Sequence, residues 1–534
     1  MTRSSFRSVF PDVDIPLQDL PTYFFSRMRK IPEFTRTQSP RPIFIDGSKP
    51  SDDAQAGSQD EKADSLTLDQ MESLSNQLAS GLYHKLGVRK GDVVAVVLPN
   101  SIYYLVVTMA VLMLGATCSM ANPAYTASEL AHQLRDSDAG FVIASAANKG
   151  VVEGAIDLGC AKSLKSTTLF IERGGDKSVF GIMSQEPYPR VTVTDQADRL
   201  TSMAAFICYS GGTTGLPKGV VLSHYNVVAN IQQGKHVQQT MCSDKYPRTT
   251  LALLPMFHSF GLVLTAHSLP LCGSTLVVLP KFEFNWFLEL IEIYRVTDTL
   301  LVPPIINMMV KMSATITSDL GSLKWVISGA APLDPSMASA LEAAFPGTRL
   351  MQGYGLTETS PGLALNAPTL RDTASSGPLL PNIEAKVIDE QGRCLGPGET
   401  GELCFRGPNV MTGYLNNPRA TQEAVDSEGY LHTGDVGHIS AETFVYVTDR
   451  IKELIKYSGF QVAPAELEGV LLQHPHVRDC AVVGVFDKER QTELPKAFVV
   501  LDKKDEKLDD GLLVDDIVAW LNSKVAYYKR LRGG

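Results

Sequence analysis

Short apolar runs alternate with amphipathic stretches through most of this 534-residue chain, and that alternation limits the folds open to it. Val93-Val94-Ala95-Val96-Val97-Leu98 reads as a buried strand. Similar runs follow at Phe141–Ile143, Thr167–Ile171, Thr250–Leu254, Thr275–Leu279, Thr299–Val302 and Trp325–Ile327. Such runs lack the polar alternation of a half-exposed strand, so both faces are expected to be covered. Leu66–Leu86 carries apolar residues at three- and four-residue spacing and predicts a helix. Strand followed by helix, repeated, implies an α/β fold with largely parallel, helix-covered sheets. The length exceeds one compact core, so at least two domains are expected.

From about Ala385 the texture changes. Glu384–Asp389, Gly401–Arg406 and Phe444–Thr448 are short strands between glycine-rich turns and predict a small antiparallel sheet or barrel-like subdomain. After Asp449-Arg450 a compact α+β module is expected. It comprises a loop at Lys456–Gln461, a helix opened by Pro464, strands at Ala481–Val485 and Lys496–Val500, and a final helix at Val514–Tyr527. The boundary falls near Ile451, giving an N-terminal domain over 1–450 and a small C-terminal domain over 451–534. Gly47–Asp64 reads as an exposed polar loop, and no internal repeat is present.

The chain is 44% hydrophobic and 20% charged, with net charge −10, a balance that disfavours general nucleic-acid binding. Its eight cysteines show no metal-site spacing and read as reduced core residues of an intracellular protein. Tyr103–Ala121 is uncharged, but Thr108, Gly115, Thr117 and Ser119 interrupt it and no basic flank or aromatic belt borders it. It predicts a buried core helix rather than a membrane span.

The residues that point to chemistry are Tyr209-Ser210-Gly211-Gly212-Thr213-Thr214-Gly215-Leu216-Pro217-Lys218-Gly219. Glycines let consecutive N–H groups converge on phosphate oxygens, hydroxyls add donors, and Lys218 adds a point charge. The spacing is neither a Walker A loop nor a dinucleotide fingerprint. A polar surface turn is the plainer alternative, disfavoured by the buried-type strands on both sides (Met203–Tyr209, Val220–Leu222). Gln352-Gly353-Tyr354-Gly355-Leu356-Thr357-Glu358 adds a second glycine-rich turn, with an aromatic face and an acid.

With these two segments in order, the chain resembles the adenylate-forming, acyl-activating superfamily. Within it the chain is most similar to plant-type hydroxycinnamate (4-coumarate) and related acyl-CoA ligases and to beetle luciferases. The resemblance runs from about Tyr23 to Gly534. It implies a large N-terminal domain, a small mobile C-terminal lid, and a two-step reaction in which a carboxylic acid is joined to AMP from ATP with Mg²⁺ and then passed to coenzyme A. It places Ser210, Gly211, Gly212, Thr213, Thr214, Gly215 and Lys218 over the phosphates. Gln352, Gly353, Tyr354 and Gly355 fall at the adenine, Thr357 at the α-phosphate, and Glu358 at Mg²⁺. It assigns Asp435 to the ribose hydroxyls, Arg450 to the ribose side, Lys452 to the lid hinge, and Lys456 and Gln461 to the adenylate. Ser458 and Gly459 match the pantetheine-contacting pair, and Lys281 matches a basic position for the CoA phosphates.

The resemblance also implies that His258, in Pro255-Met256-Phe257-His258-Ser259-Phe260-Gly261, guards the acyl pocket. Ser259, Phe260, Ser328, Gly329, Ala330, Ala331, Gly353, Pro361, Gly362 and Leu363 would complete that pocket. These residues are small, apolar and nearly chargeless, which suits an aromatic or medium-chain acid better than an amino acid. A carrier protein in place of CoA, or a weakly active adenylate-binding protein, are alternatives. The chain departs from the family pattern at Gly211, where a second serine is usual, and at Ser458, where many relatives carry lysine. The sequence stops ahead of the family's Pro-Lys-x-x-x-Gly-Lys segment, so slow adenylation is expected, with thioester formation from supplied acyl-AMP less affected. A cytoplasmic or peroxisomal location is expected, and no integral membrane association.

Overall fold

The computed structural model describes residues 5–49, 64–159, 164, 166–174, 177–210, 217–239, 247–331, 333–457, 460–487, 492–501 and 510–532. Two large sheets form the body. One has seven strands. Its parallel part places Val93–Val97 between Thr117–Met120 and Phe141–Ala144, with Thr168–Phe170 at the edge beyond. The strand Ala204–Ser210 lies parallel to Thr117–Met120, and Lys218–Ser223 then returns antiparallel to it, with Gly413–Tyr414 at the far edge. The other sheet has eight strands, six of them parallel neighbours: Phe44–Asp46, Ser274–Val278, Arg248–Ala252, Asp298–Leu301, Trp325–Ser328 and Arg349–Gly355. Its edge turns back as Gly362–Leu365, antiparallel to Arg349–Gly355. All seven predicted runs match their strands to within two residues at each end. The physical reason is the one anticipated: both faces are covered, and Ser274–Val278 is buried at every position.

The predicted helix at 103–121 is corrected. The helix spans Tyr104–Met113, the chain reverses at Gly115 (φ +70°), and Thr117–Met120 is a strand. All ten helical residues and all four strand residues are buried, so apolarity carried no period to separate the two. The predicted helix at 66–86 is an α-helix over Leu68–Gly81 that continues as a π-helical turn, Leu82–Leu86. A capping box at Thr67 and Gln70 starts it. No helix among the described residues is long and apolar enough to cross a membrane.

The antiparallel subdomain is a five-stranded sheet in the order Phe6–Arg7, Glu384–Ile388, Gly401–Arg406, Leu431–Ile439, Val445–Arg450. Beyond Arg450 a separate apolar core forms around Ile455, Val462, Leu467, Leu471, Ile517 and Leu521. It gathers the helices Pro464–Leu472 and Asp510–Lys524 and the hairpin Val477–Asp487/Thr492–Leu501. The stretch read as a loop at 456–461 is instead a pair of short strands, Ile455–Tyr457 and Phe460–Val462. The predicted polar loop falls largely on residues 50–63, outside those described. Of the cysteines, Cys118, Cys208 and Cys404 are buried and Cys394 is exposed, so the core reading fails at Cys394; Cys160 and Cys242 lie outside the described residues.

Candidate active site

A cavity of about 680 Å³ opens where the two large sheets meet the antiparallel subdomain. The antiparallel return after Ala204–Ser210 puts Ser210 opposite Lys218, so the ends of the glycine-rich segment are held together at the cavity wall. Residues 211–216, including predicted Gly211, Gly212, Thr213, Thr214 and Gly215, lie outside the described residues. Ser210 Oγ donates to Glu358 Oε1 at 3.1 Å, and the Tyr414 hydroxyl donates to the same oxygen at 2.9 Å. The Lys218 ammonium sits 4.7 Å from the centre of the Tyr414 ring. Two hydroxyl donors fix the Glu358 carboxylate, and among the described residues its Oε2 accepts no hydrogen bond. A hard cation such as Mg²⁺ takes oxygen ligands, so Glu358 fits the role of a metal ligand.

Gly355 ends one strand of the hairpin beside this acid, and only glycine fits there. A Cβ at Gly355 would lie 1.9 Å from the Pro361 carbonyl oxygen. That close approach sets the Thr357–Glu358 turn into the cavity, and Thr357 lines it. Tyr354 is held on the same strand. Its hydroxyl donates to Asp435 Oδ2 at 2.6 Å, and Arg450 Nε reaches Asp435 Oδ1 at 3.3 Å. Asp435 and Arg450 face each other in register across the Leu431–Ile439 and Val445–Arg450 strands. Burial pushes the Asp435 carboxyl above the usual carboxylate range, against the pull of Tyr354 and Arg450. Burial and the neighbouring carboxylate together hold the Tyr354 phenol protonated as the donor.

At the other end the walls become apolar. His258 and Phe260 line the cavity, and the Phe260 N–H donates to His258 Nδ1 at 3.3 Å. Surrounding protein lowers the His258 pKa, partly offset by Glu358, which favours a neutral imidazole. Of the other residues expected in an acyl pocket, Gly329, Ala330, Gly353, Pro361 and Gly362 also line the cavity. Leu363 does not. Gly362, Ala364 and Leu365 of the same strand line the cavity, while Leu363 is fully buried in the core. Ser259 is likewise buried off the cavity, and Ala331 is exposed beside it.

Three further predicted residues stand apart. Gln352 is buried, its amide donating to the Thr373 carbonyl at 2.8 Å. Lys281 is exposed and does not line the cavity. Lys456 is exposed on its short strand; its N–H donates to Glu493 Oε2 at 2.7 Å and its carbonyl accepts from Thr492 Oγ1 at 2.8 Å. Lys452 does reach the cavity rim. Gln461 pairs with Lys456 through the backbone, its side chain lying outside the description, as do Ser458 and Gly459 entirely.

Sequence reading missed Gly234, Gln238, Leu264, Leu300, Ile327 and Leu380 at the apolar end. It missed Tyr414 as well, a lone aromatic nearly two hundred residues beyond Lys218, the cation that lies over its ring.

A sequence model described as AMP-binding enzyme matches residues 45–415, and one described as AMP-binding enzyme C-terminal domain matches residues 466–533. The chain is 37% identical to a probable 4-coumarate–CoA ligase 3 of Dictyostelium discoideum, over 99% of this chain and 93% of that one. It is 36% identical to 4-coumarate–CoA ligase 1 of Arabidopsis thaliana, over 98% and 90%. Among solved structures, a long-chain-fatty-acid–CoA ligase from Archaeoglobus fulgidus superposes with a TM-score of 0.71 at 30% identity, covering 99% of this chain and 98% of that one. With a family match over residues 45–415 and relatives of 36–37% identity along nearly its whole length, this chain belongs to the AMP-binding enzyme family.

Proposed function

We propose that the chain is an ATP-dependent acid–CoA ligase that activates an aromatic or medium-chain carboxylic acid as acyl-AMP and transfers it to CoA, releasing AMP and pyrophosphate. The observation that carries this reading is the polarity gradient of one cavity. Ser210, Lys218, Thr357 and Glu358 gather at one end, Tyr354 and Arg450 at the side with the buried Asp435 bonded to both behind the wall, and glycine, proline and aliphatic groups at the other.

The chemistry follows from charge. A carboxylate attacking the α-phosphate brings two anions together, so the site must neutralise them with donors placed beforehand. Lys218 supplies a cation and Thr357 a hydroxyl at the polar end. Asp435 accepts from the ribose, which sets the nucleotide's register. Mg²⁺ held by Glu358 supplies further charge neutralisation when bound. His258, kept neutral by its surroundings, stands between the polar and apolar ends and can accept a hydrogen bond without adding charge. The second step needs a thiol to reach the acyl carbon. We assign Lys452 as the hinge of a lid spanning 451–534 that carries Lys456 and Gln461. The lid is docked by polar contacts that can be exchanged: the Lys311 ammonium donates to the Val477 carbonyl, and Gln473 Nε2 donates to Asp334 Oδ2 at 3.4 Å.

The test is a panel of benzoic, cinnamic and straight-chain acids, following AMP release and thioester formation with and without CoA. The expected result is AMP release that rises on adding CoA, with a preference for aromatic or medium-length acids and at least a hundredfold loss in Lys218→Ala. No AMP release and no pyrophosphate exchange with any acid, from a folded protein, would overturn the reading.

A further inference from the structure

Beneath the turn that carries Asp435 lies a cluster that the ligase reaction does not use. Glu402 and Cys404 are two apart on the strand Gly401–Arg406 and so share a face. His432 is the register partner of Cys404 on the neighbouring strand. His432 Nδ1 stands 3.1 Å from Glu402 Oε2 and 3.6 Å from Cys404 Sγ, and the three donor atoms lie within 4.8 Å of one another.

These spacings can be compared with a tetrahedral zinc site. With Zn–N of about 2.0 Å, Zn–O of about 2.0 Å and Zn–S of about 2.3 Å, ligand atoms lie about 3.3 Å apart for N and O and about 3.5 Å apart for N and S. Both observed distances fall within about 0.2 Å of those values. Only the carboxylate has to swing to complete the set.

The surroundings are those of a metal-binding histidine. His432 Nε2 faces Asp426 Oδ2 at 3.5 Å, and that carboxylate is itself held by Lys386 Nζ at 2.6 Å. A carboxylate behind one ring nitrogen orients the other toward a ligand. Cys404 is fully buried, while Glu402 and His432 border the cavity, which leaves a route for the ion and a fourth position for water.

We propose that Glu402, Cys404 and His432 form a binding site for a thiophilic divalent cation of the Zn²⁺ class. Binding forms Zn–S, Zn–N and Zn–O bonds. It releases the thiol proton, and the imidazole binds through the Nδ1 lone pair with its one proton on Nε2, facing Asp426 Oδ2; a divalent ion in and one proton out raise the charge of the cluster by one. Glu402 Oε1 meanwhile accepts from the Gly434 N–H at 3.1 Å, next to Asp435. Occupancy therefore braces the ribose-side turn from below.

The test uses the full chain, stripped of metal by chelator and dialysis, and titrated with Co²⁺. The expected result is one equivalent bound, with tetrahedral visible bands and a thiolate-to-cobalt charge-transfer band, displaced by Zn²⁺ and not by excess Mg²⁺. Cys404→Ser should abolish the charge-transfer band. His432→Gln should weaken binding at least tenfold, and Cys480→Ser should change neither. Should Cys404→Ser fail to fold, Glu402→Gln and His432→Gln carry the same readout. A spectrum with no thiolate band, a band that survives Cys404→Ser, or affinity unchanged in His432→Gln would each overturn the proposal.

Discussion

Replacing Asp435 by asparagine tests the nucleotide assignment most directly. The carboxylate is nearly sealed, with its side chain 5% exposed, and both oxygens are already engaged by protein donors, Tyr354 on Oδ2 and Arg450 on Oδ1. Each hydrogen bond to a charged group contributes about 1.5–3 kcal/mol. Asparagine keeps one acceptor and turns an amide donor toward groups that are themselves donors. One ribose contact is lost and the other weakened, for about 2–4 kcal/mol, or roughly 30- to 1,000-fold in affinity.

Tyr354→Phe removes only the orienting hydroxyl. It should cost less, about 1 kcal/mol, because Arg450 still reaches the carboxylate. The assay is calorimetric binding of a non-hydrolysable ATP analogue, with circular dichroism to confirm folding. Because burial raises the Asp435 pKa, wild-type affinity should fall as the pH is lowered toward that raised value, while Asp435→Asn stays flat over the same range. A folded Asp435→Asn protein that binds within threefold of wild type would refute the assignment.

Three other outcomes are expected. Gly329→Ala places a Cβ 3.0 Å from Phe260 Cζ and 3.1 Å from Cε1, so the ring must move; the acid panel should shift against the bulkiest acids, with ATP affinity unchanged. Gly355→Ala meets the Pro361 carbonyl oxygen at 1.9 Å; it should yield little soluble protein or a large drop in Tm. Asp449, pushed up to about 6 by burial, holds its proton more tightly in the folded state than an unfolded aspartate at about 3.9. Its contribution is present below about pH 4 and lost as pH rises through about 6, so the Tm advantage of wild type over Asp449→Ala should grow on acidification from about pH 7 to about pH 5. A gap that stays constant or shrinks would contradict the burial.

The parallel strands were legible because burial on both faces demands continuous apolar residues, as at Val93–Val97 and Ser274–Val278. The same property hid the break between Met113 and Thr117, where helix and strand are equally buried. The polar half of the cavity was legible because glycine, hydroxyl and acid cluster there for reasons no core shares. Its apolar half was not. Leu264, Leu300 and Leu380 look like core leucines, and only tertiary placement separates a pocket wall from an interior. Leu363 shows the complementary error, since a motif names consecutive residues while Leu363 alone of Gly362–Leu365 packs into the core away from the cavity. The paired strands Ile455–Tyr457 and Phe460–Val462 read as a loop in sequence because Ser458-Gly459 dominates so short a window.

Tyr414 touches three parts of the molecule at once. Its backbone continues the seven-stranded sheet beside Val220, its hydroxyl secures Glu358 next to the eight-stranded sheet, and its ring lies under Lys218. Anyone recombining this protein with a relative inherits that triple joint. A crossover placed between Glu358 and Tyr414 would separate an acid from the phenol that aims it and a lysine from the face it rests on. Chimeras should therefore tolerate exchange beyond Asn417 far better than exchange just before Gly413.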